Sequence, residues 1–125
     1  MSRKSPEANL QKLIIQHLTL LRKPGVLFLS IPNEAKRSAI MGGHLKAMGL
    51  RPGAADLLIV VRGRAHFMEL KSEAGEQRAT QIAFEADCVI AGAPYALCNN
   101  IGDALMTLEQ WGALHPQAAL NRWVA

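Results

Sequence analysis

Gly53-Ala54-Ala55-Asp56-Leu57-Leu58-Ile59-Val60-Val61, then Arg62-Gly63-Arg64, then Ala65-His66-Phe67-Met68-Glu69-Leu70-Lys71 reads as two short apolar strands joined by a Gly-containing turn. Asp56 opens the first strand, and Glu69 and Lys71 sit two apart near the end of the second. Strand side chains alternate between faces, so Glu69 and Lys71 share one face. A hairpin paired in register about its turn brings Asp56 close to both. Two carboxylates and an amine at one end of a sheet have the makings of a divalent-metal hydrolytic site. The strands are apolar on both faces, as in a sheet covered on both sides. Strand ends of such sheets are where α/β proteins carry their sites. In isolation, an acid-x-Lys pair is ordinarily a solvated same-face pair, and an aspartate before a strand an ordinary cap.

Upstream, Ser5-Pro6-Glu7 is a helix start: a capping Ser, Pro at the first helical position and an acid in the first turn. Leu10, Leu13, Ile14, Leu18 and Leu21 follow at helical spacing, Arg22-Lys23 suit the helix C-terminus, and Pro24-Gly25 stop it. Val26 to Ile31 reads as a buried strand ended by Pro32. Residues 33–52, with Lys36, Arg37, His44, Lys46 and Arg51 among several glycines, read as a mobile excursion holding a short helix around His44 to Met48. Downstream, the pattern predicts a helix over Gln77 to Ala91, carrying Ile82, Ala83, Ala86, Val89 and Ile90. A strand over Tyr95 to Cys98 follows, then a helix over Ile101 to Trp111 with Ile101, Ala104, Leu105, Leu108 and Trp111 on one face. Beyond Gly112 the pattern is ambiguous, though Leu120, Trp123 and Val124 could dock a last turn. The order α-β-(loop/α)-β-β-α-β-α predicts an α/β fold with a mixed sheet and helices on both faces.

The 125 residues suit one domain, 1–125, large enough to bury a core. Half of them are hydrophobic and 19% charged, which excludes a disordered chain. No apolar run has membrane-span length, and the N-terminus does not read as a signal peptide. Cys88 and Cys98 read as reduced, buried thiols of a cytosolic protein, and no Cys or His pair has zinc-ligand spacing. His17, His44, His66 and His115 form no paired arrangement and read as structural or surface residues; Trp111 and Trp123 read as packing residues. Residues 1–71 hold 12 Lys+Arg against 4 Asp+Glu, a net of +8, whereas residues 72–125 carry a net of −4. A basic half with isolated carboxylates suits a polyanionic ligand together with a metal.

Phosphodiester hydrolysis needs an attacking water, stabilisation of charge on the phosphoryl oxygens and help for the leaving oxygen. Mg²⁺ supplies much of this when one or two carboxylates hold it and leave positions open for water and substrate. Asp56 and Glu69 are the candidate ligands, the backbone carbonyl of Leu70 a third. Lys71 is placed to orient or deprotonate the water, or to stabilise developing charge.

Asp56 followed after a hairpin by Glu69-Leu70-Lys71 resembles the PD-(D/E)xK nuclease superfamily, and more narrowly the virus-type replication-repair nuclease (VRR-NUC) domain. The resemblance extends to Glu7 and Gln11, to Pro32-Asn33-Glu34 with Arg37, to residues 49–53, and to Ser72, Gly75 and Gln81. It spans residues 7–112. Two positions depart from the family pattern: Ala55 stands where Pro is usual before the aspartate, and Ser30 where His is frequent.

The resemblance implies a restriction-endonuclease-like α-β-α core. It implies Asp56 and Glu69 as ligands of Mg²⁺ or Mn²⁺, with Glu7 as a further acidic member, direct or through water. Lys71 would be the catalytic lysine, Gln81 would position substrate or water, and Asn33, Lys36, Arg37, Lys46 and Arg51 would line the DNA path. Glu7 and Gln11, four apart, share a helix face. Small members of the superfamily resemble Holliday-junction resolvases, which implies a homodimer cutting four-way or otherwise branched DNA in a bacterial or phage-infected cytoplasm, near the nucleoid. The alternatives are a non-catalytic nucleic-acid-binding module with the same fold, and a nuclease acting on linear DNA.

Overall fold

The computed structural model describes residues 5–32 and 39–116. The first helix, α1 (Pro6–Leu21), begins as its sequence dictates, with the Ser5 hydroxyl accepting from the Ala8 N–H at 3.0 Å. Leu10, Ile14 and Leu18, spaced four apart, form its buried stripe, while Leu13 stays exposed. The helix stops at Leu21, so Arg22 and Lys23 lie beyond the last turn they were expected to complement. Arg22 is extended, and its guanidinium instead donates to the Val26 carbonyl and lies over the Phe28 ring. Strand β1 (Val26–Ser30) follows, one residue shorter than its apolar run.

Helix α2 (Ala39–Ala47) begins five residues earlier than the sequence pattern indicates and runs through Gly42-Gly43. A glycine costs a helix about 1 kcal/mol and does not forbid it. The stop comes afterwards, where the Gly49 N–H reaches the Lys46 carbonyl and the Leu50 N–H the Leu45 carbonyl.

Strands β2 (Leu57–Val61) and β3 (Arg64–Leu70) form the expected hairpin. Arg62 and Gly63 turn it with φ of 52° and 81°, the two positive values that match a two-residue loop to the twist of its strands. Helix α3 (Ala79–Ala91), β4 (Tyr95–Cys98) and α4 (Ile101–Gln110) complete the order. Among the described residues the sheet runs β1-β2-β3-β4, antiparallel except where α3 carries the chain over to set β4 parallel to β3. This is the mixed α/β sheet expected.

One sheet face carries Leu57, Ile59, Val61, Met68, Leu70 and Cys98, all buried against Leu10, Ile14 and Leu18 of α1 and Ala104, Leu105 and Leu108 of α4. His66 is buried on this face too. Its Nδ1 lies within hydrogen-bond distance of the Arg64 and Ile59 carbonyls and its ring packs 4.9 Å from that of Trp111, so both residues are structural as expected. Cys88 and Cys98 are free and buried.

Helix α3 covers the β3–β4 side of the opposite face, leaving Leu27 and Leu29 of β1 exposed there, by a stripe its composition does not advertise. Gln81, Phe84, Glu85 and Cys88 turn inward, with Phe84 edge-on to Phe67 at 5.2 Å. Ile82, Val89 and Ile90 point outward, 53%, 70% and 83% exposed. The helix also begins at Ala79, not Gln77, and α4 ends at Gln110, with Trp111 as its cap. Ala113 and Leu114 are buried, Leu114 bridging to Arg22; Leu120, Trp123 and Val124 lie outside the described residues. No described helix is long and apolar enough to cross a membrane.

Candidate metal centre

The hairpin register pairs Leu57 with Met68, which sets Asp56 across from Glu69. Asp56 sits at the mouth of β2, held by its own backbone, whose carbonyl accepts from Ile31 N–H at 2.8 Å. Its Oδ2 accepts from the Leu70 N–H, also at 2.8 Å. Glu69 is only 3% exposed, yet it is ionisable. Its Oε2 accepts from Gln81 Nε2 at 3.0 Å, while its Oε1 is buried and has no hydrogen-bond partner among the described residues. A buried carboxylate oxygen with nothing to bond costs several times what a made hydrogen bond returns.

Desolvation pushes the Glu69 carboxyl up to about 8, helped by the negative charge of Asp56 and opposed by Lys71. Asp56 is raised as well, again by desolvation first, with the Leu70 N–H pulling the other way. Each carboxyl is thus biased toward its protonated form, Glu69 by burial and by the charge of Asp56, and Asp56 by burial and by the charge of Glu7. An oxygen-lined pair short of positive charge, with one buried oxygen unspent, is the donor chemistry that hard divalent cations select.

Glu7 comes from the first turn of α1, and its Oε2 accepts from the Ser72 N–H at 3.3 Å, tying that helix to the end of β3. Among the described residues no group of three or more acidic, His or Cys side chains closes into a metal-binding set, and the charge of Glu7 raises both Asp56 and Glu69. Two carboxylates are enough for Mg²⁺, which ordinarily keeps several waters. Lys71 lies half-buried just past β3, its N–H donating to the Cys98 carbonyl, and its charge lowers both carboxyls. Leu70 is buried in the core, which fixes the backbone between Glu69 and Lys71.

Gln81 does two things at once. Its Oε1 accepts from the Arg78 N–H at 2.8 Å, closing the first turn of α3, and this leaves Nε2 aimed at Glu69. The sequence signal for this role is a Gln three residues after the helix cap, which is Arg78 and not the Gln77 start that the pattern predicts. Arg51 forms an ion pair with Asp87 at 2.8 Å and lies over the Phe84 ring, so it braces its loop onto α3. Lys46 is exposed at the end of α2. Asn33, Lys36 and Arg37 lie outside the described residues.

Gly53 was legible only as part of a pattern, and its role is steric. It has φ +79°, and a Cβ there would fall on the Thr80 carbonyl group and 2.7 Å from the Gln81 nitrogen. Only a bare backbone lets this loop lie against the start of α3. Gly53→Ala is expected to destabilise the fold by about 2 kcal/mol or more in urea unfolding and to weaken Mn²⁺ binding by titration, because it pushes away the turn that holds Gln81 on Glu69.

Two solved structures share this architecture. One, described as a "VRR_NUC domain protein", superposes with a TM-score of 0.71 at 14% identity, covering 88% of this chain and 90% of its own. Another, described as "VRR_NUC domain", gives 0.57 at 21% identity over 86% and 97%. The chain has the VRR_NUC domain fold. No family model matches the sequence, and no curated protein matches it. In the VRR_NUC fold as this chain builds it, α1, the residue before β2, β3 and α3 contribute Glu7, Asp56, Glu69 and Gln81 to the same end of the sheet.

Proposed function

We propose that this chain is a Mg²⁺- or Mn²⁺-dependent endodeoxyribonuclease that cuts branched DNA, such as four-way junctions, as a homodimer. The observation that carries the reading is the buried, unpartnered Glu69 Oε1 beside Asp56, with Lys71 two residues further on. Asp56 and Glu69 would hold the cation, with the Leu70 carbonyl as a further oxygen and Glu7 acting through water. When bound, the ion supplies charge neutralisation at the phosphoryl group and a more acidic water. Gln81 keeps Glu69 in one orientation, so the site needs little rearrangement to act. Lys71 orients the attacking water and stabilises the charge that develops on the phosphoryl oxygens.

The basic residues of the first half, Lys46 and those of 33–38 among them, attract the phosphate backbone without reading sequence. Recognition by shape through a two-fold dimer would place two sites on opposing strands. We assign the activity to the cytoplasm of a bacterial or phage-infected cell, beside the nucleoid, a reading supported by the two free, buried thiols.

The test incubates labelled four-way junctions and linear duplex with the protein in Mg²⁺, Mn²⁺ or EDTA. Paired nicks across the junction are expected with either metal and none in EDTA. Equal cutting of duplex would replace the branched substrate by linear DNA. Salt-sensitive binding with no cleavage would leave a binding module of nuclease fold.

A further inference from the structure

The outward face of α3 is unusual for a helix whose opposite face already covers a sheet. Ile82, Ala83, Ala86, Val89 and Ile90 make an exposed stripe over two turns, with Ile82, Val89 and Ile90 each more than half exposed. The one acid on its flank, Asp87, is engaged by Arg51, and Glu85 is turned inward, where it accepts from Gln77. No Lys or Arg occurs between Arg78 and the end of the helix.

We propose that this stripe is the interface for a second copy of this chain, the two α3 helices crossing about a two-fold axis. The inference deepens the homodimer in the proposed function by assigning its surface. Four observations favour a second copy over another occupant. The stripe is uncharged, so meeting itself brings no like charges together, which a two-fold contact requires of any patch. The small Ala83 and Ala86 at its middle let two helix backbones approach closely.

The area also fits. The stripe exposes on the order of 400 Å² of apolar surface per chain, which doubled approaches the apolar share of a standard interface of about 1,600 Å². Charge partition agrees, because α3 belongs to the half of net charge −4 and pairing there leaves the basic half free for DNA. An antiparallel pair of 13-residue helices, each about 20 Å long, carries a Gln81 at either end.

Light scattering at micromolar protein, without DNA, is expected to give twice the 13.6 kDa chain mass. Val89→Glu/Ile90→Glu should run as a monomer of native circular dichroism, its dimer weakened about a hundredfold or more by unpaired buried charge. Leu27→Glu/Leu29→Glu, on the exposed β1 side chains, should leave the dimer intact. Should the first variant not fold, Ala86→Cys supplies the second reading: an interchain disulfide on mild oxidation, since Ala86 lies mid-stripe and Cys88 and Cys98 are buried. A monomeric wild type, a dimer that survives the Val89/Ile90 change, or one broken by the Leu27/Leu29 change would each overturn the assignment. A dimer lost as described in a chain that neither binds Mn²⁺ nor cuts DNA would uphold this interface and sink the nuclease reading.

Discussion

Metal-free protein will lose stability as the pH rises from about 5 to about 8, and millimolar Mg²⁺ or Mn²⁺ will restore it. Burial lifts Glu69 from an ordinary value of 4.5 to about 8, so the folded chain holds a proton that the unfolded chain has released. A raised folded pKa contributes stability that is complete below the unfolded value and disappears as pH passes through the folded one. The slope is therefore negative across that window. The change is on the order of 2 kcal/mol, because Lys71 and solvent at the mouth of the site screen part of the penalty. A bound cation replaces the proton as the partner of the pair, so its stabilisation grows with pH and its binding releases protons into an unbuffered solution. Thermal melts at pH 5, 6.5 and 8, with and without metal, read both trends. Glu69→Gln should flatten the metal-free profile and abolish the metal shift. A metal-free profile that rises over this window would mean that the carboxyl pair is not held as described.

Lys71→Ala is expected to lower kcat about 10²- to 10⁴-fold on a junction substrate while leaving KM and the metal-induced thermal shift nearly unchanged. The lysine makes no hydrogen bond to Asp56 or Glu69 that the fold depends on, but its charge acts on both carboxyls. Its removal therefore takes away an interaction needed when charge develops, not one needed to fold or to hold the cation. Single-turnover cleavage with saturating Mn²⁺ separates the two. Full activity in this variant would remove Lys71 from the chemistry and leave hydrolysis to the carboxylates alone.

Local rules made much of the architecture readable. Ser5-Pro6 announced α1 because a cap and a fixed φ act within one turn. The hairpin was readable because a two-residue turn dictates register, and register with period 2 dictates that Asp56 opposes Glu69. Where local signals conflict, tertiary contacts decide. Gly42-Gly43 resemble a break, yet α2 runs through them. In α3 two stripes compete, and the one with more aliphatic carbon lost. Phe84 packing on Phe67, Gln81 reaching Glu69 and Arg51 gripping Asp87 together select the inner face, and none of these pairings is visible in the periodicity of residues 79–91.

The order of elements, the hairpin and the grouping of Asp56, Glu69 and Lys71 are written into short stretches of the chain, because helix caps, turns and strand alternation act over a few residues. Tertiary structure alone decided that Glu69 is buried with one oxygen unspent, that Glu7 spends its carboxylate on Ser72, that Gly53 must be bare where α3 begins, and that the aliphatic stripe of α3 faces outward. Each of these depends on contacts between residues far apart in the chain and on the water those contacts exclude. Desolvation belongs to the assembled fold and to no single segment, and here it turns an acid-x-Lys pair into a candidate metal site.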